Sequence, residues 1–153
     1  MNTQFTLLNL FIGGDIMIAG ASIALVIGSV ISWYIIIEKF RLWARARRTG
    51  LNTSLPADQI IKPFDDKVWF LAMTATVAPF IGLFGTVWGV MHSFASIGAA
   101  KSVSIAVIAP GLAAALGTTV LGLLVAIPAA IAHQYFSKKS DELYNELAYG
   151  QTK

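Results

Sequence analysis

The sequence predicts an all-α integral membrane protein, an oligomeric helical bundle built on three transmembrane helices. Composition is the first reason: 56% of the 153 residues are hydrophobic, 12% are charged and the mean hydropathy is +0.70, outside the range of an ordinary soluble domain. The second is a division into three uncharged stretches, each long enough for the ~20 residues a bilayer crossing needs. The third is the spacing of small residues along them. Lipid tails are as apolar as leucine, so membrane helices associate by close backbone approach, which small residues four positions apart permit. Little chain is left for an independent soluble domain, and residues 1–153 read as a single membrane domain.

The first span is expected over 16–37. It is uncharged, rich in Ile, Val and Ala, and repeats Gly20, Ala24, Gly28 and Ser32 along one face. Residues 1–14 carry no Lys or Arg and the charges follow the apolar run, the reverse of a cleaved leader. The connection over 38–67 opens with FRLWARARR, which continues the first helix. It then turns through Gly50, Asn52, Pro56 and Pro63 as a short linker.

The second uncharged stretch runs from Val68 to Ala100 and holds a span over 72–97. In it Gly82, Gly85, Thr86 and Gly89 make a face of small residues, with GxxxG from Gly85 to Gly89. The third runs from Ser102 to Ala132 with a span over 108–132, and Ala114, Thr118, Gly122 and Ala126 share a face. Both stretches exceed one crossing, so kinks or helix starts are expected at Pro79, Pro110 and Pro128. The two small-residue faces are expected to be assembly surfaces inside the membrane, packed closely against other helices. Beyond His133, QYFSKKSDELYNELAYG favours a helix over 133–149 that carries the third span out of the bilayer.

Positive charge sets the expected topology. Lys39, Arg41, Arg45, Arg47, Arg48, Lys62 and Lys67 lie between spans one and two, Lys101 alone lies between spans two and three, and Lys138, Lys139 and Lys153 follow span three. The first connection and the C-terminus are therefore cytoplasmic and the N-terminus lies outside. Trp33, Tyr34 and Trp43 then fall near the cytoplasmic interface, either as an aromatic belt or as ordinary helix contacts. The net charge of +3 reports this orientation. No basic, aromatic-interleaved surface motif points to nucleic acid.

Little catalytic chemistry is on offer. The chain has no cysteine, which excludes disulfides, thiolate metal sites and cysteine catalysis. All eight carboxylates lie at or beyond the span ends, and no Ser/His/Asp set, HExxH, P-loop or CxxC is present. His92 and His133 are expected at opposite ends of the bilayer, which argues against a shared metal site. His92 reads either as an interfacial hydrogen-bonding residue or as a relay. No catalytic residue, metal or cofactor is expected, and the chain is not read as an enzyme. What remains inside the membrane is hydroxyl chemistry at Thr86, Thr118 and Thr119. Each can hold a water or a neighbour's carboxylate, or simply bond a carbonyl of its own helix.

The blocks APFIGLFGTVWGVMHSF and IAPGLAAALGTTVLGLLVAIPAAIA, in that order, with SWYIIIEKFR at the exit of the first span, strongly resemble the TolQ/ExbB family, relatives of MotA. The resemblance covers nearly the whole chain. It implies a pentamer of three-span subunits in the bacterial inner membrane around the single transmembrane helices of a TolR-like or ExbD-like partner, with a TolA-like or TonB-like protein beyond. It further implies that proton flow there drives work at the outer membrane. The family's pore-facing threonines correspond to Thr86 and Thr119, with Thr118 beside them; the spacing, independently, makes Gly82, Gly85, Gly89 and Gly122 the helix-packing glycines. The resemblance leaves the carboxylate of the pathway to the partner's central helix. Two departures accompany the match. The family usually carries Glu where this chain has Ala114, and its connection between spans one and two is usually much longer than Lys39 to Lys67. SWYIIIEKF and MHSFASIGAAK favour a Tol-Pal role over an ExbB-type energiser of TonB-dependent transport, and a structural oligomer without ion flux is the reading from another class.

Overall fold

A run of apolar residues with nothing to end it becomes one long helix, and three such runs dominate this chain. The computed structural model describes residues 16–49, 57–100 and 105–150. These form α1 (Ile16–Thr49), α2 (Ala57–Asp65), α3 (Val68–Ala100) and α4 (Ile105–Gly150). The linker expected through Gly50, Asn52 and Pro56 and the connection expected at Lys101 lie outside the described residues. α1, α3 and α4 are each long and apolar enough to cross a membrane. At 1.5 Å per residue the 34 residues of α1 and the 46 of α4 run about 51 and 69 Å, well beyond the ~30 Å hydrocarbon core. Side chains such as Ile23, Ile27, Phe80, Leu83, Val87, Leu124 and Ile131 stay exposed. A face of that size is untenable in water and ordinary against lipid. The protein is an all-α membrane protein.

Pro79 lies inside α3, and Pro110 and Pro128 lie inside α4, so none of the three is a helix start. The carbonyls a proline frees in a membrane helix find other partners.

The described chain resolves into two compact units. One joins the described residues up to Ser29 with Thr76–Ala126. Its core is Leu25, Ala78, Val125 and Ala126, with Ile81 and Leu121 packed on it. The other joins Val30–Ala75 with the described residues from Ile127 onward. One of its cores gathers Ile35, Val68, Leu71 and Phe136. A second gathers Ile60 and Phe64 of α2 with Leu143 and Leu147 of α4.

That second core corrects the reading of 38–67 as mostly linker. Ile60 and Phe64, one turn apart, give the nine-residue α2 an apolar edge buried on α4, and the Trp43 ring of α1 packs tilted against Phe64 with centroids 4.5 Å apart. Lys39, only 2% exposed, donates to the Pro63 carbonyl at 2.9 Å. This oxygen lies in the last turn of α2, where carbonyls lack helical partners and a cation is favoured. The turn into α3 passes through Lys67 at φ 65°, a left-handed conformation costly for a residue with a Cβ. The Lys67 ammonium reaches both Glu38 oxygens, at 3.1 and 3.2 Å.

Candidate functional site

The site is built on the closest approach of α3 to α4, in the first unit. A Cβ on Gly82 would stand 2.8 Å from the Thr118 carbonyl oxygen and 3.0 Å from the Thr119 Cα. One on Gly122 would stand 2.7 Å from the Ala78 carbonyl oxygen and 3.2 Å from the Gly82 Cα. The obstructing atoms are backbone, which cannot rotate away. Gly85 likewise faces Thr118, and Gly89 faces Ala115 and Ile18. Gly82, Gly85, Gly89 and Gly122, expected to pack helices closely, bring α3 and α4 of one chain together. By contrast, Gly20 and Gly28 of α1 have open space around them.

The same contact gathers the three threonines. Thr118 is fully buried, and its hydroxyl donates to the Ala115 carbonyl at 2.7 Å or to that of Gly82 at 3.2 Å. Thr86 and Thr119 are half-buried, and their hydroxyls hydrogen-bond each other across the interface. The Thr86 hydroxyl also lies 3.1 Å from the Gly82 carbonyl and 3.2 Å from that of Ala115, and Thr119 lies 3.1 Å from Gly82. Each hydroxyl has one proton, so the pair supports two bonding directions. Thr86 donates to Thr119, which donates to Gly82, or Thr119 donates to Thr86, which donates to Gly82 or Ala115. Either direction leaves an acceptor lone pair for a third group.

Ala114 is 3% exposed, inside the subunit one turn before Thr118. His92 is exposed on α3, where its carbonyl accepts from Ser96 at 3.0 Å. His133 belongs to the other unit. Among the described residues no group of three or more His, Asp or Glu is placed to hold a metal. The close contact extends further, to Ser93 and Gly111. Ser93 is buried and donates to the Gly89 carbonyl at 2.8 Å, and its hydroxyl oxygen lies 2.7 Å from where a Gly111 Cβ would be. The signal for this contact in the sequence is the glycine of IAPGL.

The fold and site define a multi-span membrane protein whose α3–α4 contact is made of glycines and hydroxyls. Comparison with known sequences gives the family: residues 45–148 match the MotA/TolQ/ExbB proton channel family, and the chain belongs to it. It is similar to the Tol-Pal system protein TolQ of Haemophilus influenzae, 29% identical over an alignment of 210 residues that covers 98% of this chain and 91% of the relative. That alignment is longer than this chain, so part of the relative stands opposite gaps. The Pseudomonas aeruginosa TolQ is 47% identical over 74 residues, 48% of this chain and 32% of that protein. The biopolymer transport protein ExbB of Neisseria gonorrhoeae is 35% identical over 123 residues, 72% of this chain and 56% of that protein.

Proposed function

We propose that this chain is a ring-forming, non-enzymatic subunit of a proton-driven motor in the bacterial inner membrane, with its N-terminus periplasmic and its C-terminus cytoplasmic. It works with a single-span TolR-like or ExbD-like partner that carries an intramembrane carboxylate. The observation that carries the reading is the Thr86–Thr119 hydroxyl pair, half-buried between two spans that hold no carboxylate of their own. A partner carboxylate brought to this pair meets a hydroxyl that donates when the carboxylate is ionised and accepts when it is protonated. That exchange suits repeated protonation and release. One proton moved through ~100 mV supplies about 2.3 kcal/mol to bias a step between packed states. A Tol-Pal role in outer-membrane integrity and cell division is favoured over an ExbB-type role by the segments SWYIIIEKF and MHSFASIGAAK and by an alignment with a TolQ that takes in 98% of this chain.

The test is proton uptake by liposomes holding the chain with and without its partner. Thr86→Val with Thr119→Val keeps the side-chain shape and removes both hydroxyls, so assembly is expected to persist while partner-dependent uptake falls. Unchanged uptake in the double variant would refute the role of the pair. Absence of partner-dependent uptake in the parent would favour a structural oligomer without ion flux.

A further inference from the structure

We propose that a groove between α1 and α4 in the second unit holds one acyl chain of an anionic phospholipid, with the lipid phosphate at Lys139. The groove has a volume of about 460 Å³, within the usual ~300–1,000 Å³ of ligand sites. Trp33, Ile36 and Phe40 form one wall and Ile131 and Phe136 the other, with Tyr135 at the polar end. Apart from Tyr135 and the indole N–H of Trp33, these side chains offer only carbon, so the groove suits a hydrocarbon chain.

The end beyond Tyr135 is cationic. The Lys139 ammonium donates to the Tyr135 hydroxyl at 3.0 Å and sits 5.0 Å from the centre of the Trp43 ring. These contacts hold the charge one helical turn past the groove. Among the described residues no carboxylate pairs with Lys139, whereas Lys138 faces Glu142 at 4.0 Å and Lys67 pairs with Glu38. Because Tyr135 accepts from Lys139, its own proton is free to donate, and the ammonium keeps two N–H groups. A phosphate with its chain in the groove would receive hydrogen bonds from both residues. A zwitterionic lipid would find the same groove and hydroxyl without net charge complementarity.

Native mass spectrometry of the full-length chain in detergent, titrated with phosphatidylglycerol or phosphatidylcholine, tests the proposal. Phosphatidylglycerol is expected to bind about fivefold more tightly, the advantage of one basic side chain against an anionic lipid. Lys139→Gln is expected to abolish that preference, while Lys139→Arg and Lys138→Gln keep it. Ile131→Trp, which fills the groove, is expected to reduce binding of both lipids. Equal affinity for the two lipids in the parent, or a preference that survives Lys139→Gln, would overturn the proposal. So would an Ile131→Trp variant that keeps its lipid and changes oligomer size, which would assign the groove to a second copy of the chain.

Discussion

Gly82→Ala places a methyl group where α3 and α4 already touch through backbone. The added carbon would lie 2.8 Å from the Thr118 carbonyl oxygen, 3.0 Å from the Thr119 Cα and 3.3 Å from the Gly122 Cα, against ordinary contact from 3.4 Å outward. No side-chain rotation relieves these contacts, so the helices must separate at the level of the threonine pair. Overpacking of this kind costs about 2–3 kcal/mol, the upper part of its usual range. Gly20→Ala is the internal control, since a Cβ there meets nothing within 4 Å. Each substitution gains the same ~1 kcal/mol of helix propensity, and their difference isolates the packing cost. Thermal unfolding in mild detergent, followed by circular dichroism, is expected to rank Gly82→Ala below Gly20→Ala by about 2–4 °C for each kcal/mol. Equal melting temperatures would refute the assignment of this face to contact within one subunit.

Thr118→Val is expected to cost about 1 kcal/mol of stability, from a buried hydroxyl that donates to the Ala115 or the Gly82 carbonyl. It should leave proton uptake unchanged because this side chain is sealed, and lost uptake would place Thr118 in the pathway. Lys67→Gly and Lys67→Ala both lose the Glu38 pair, but only glycine adopts φ 65° without strain. The glycine variant is expected to melt about 2–4 °C higher, and identical melting would show that the turn is not strained. Ala114→Glu and Ala114→Gln bring similar volume to a site 3% exposed. Glu is expected to be less stable by about 3 kcal/mol, the charge term in a membrane interior. Equal thermal stability of the two variants would mean that the site is wet or the carboxyl neutral.

Much of this protein was legible in the sequence because membrane helices are specified by composition along the chain. The absence of charge over 16–37, 72–97 and 108–132 requires that backbone groups be satisfied within helices, and α1, α3 and α4 follow. The motif blocks around Gly82–Gly89 and Pro110–Pro128 identified the family, because their residues stand at fixed positions in the chain. Periodicity also showed which small residues share a face. It does not say what covers that face. Only the tertiary structure set the glycines of α3 against α4 in the same subunit and left Gly20 and Gly28 open. It also separated Thr118 from Thr119: adjacent residues on a helix point about 100° apart, so one is sealed between the helices and the other remains half-exposed beside Thr86. Lys39 shows the same limit, since by charge count it reads as a topology marker. A partner distant in sequence, the Pro63 carbonyl at the end of α2, makes it a buried donor.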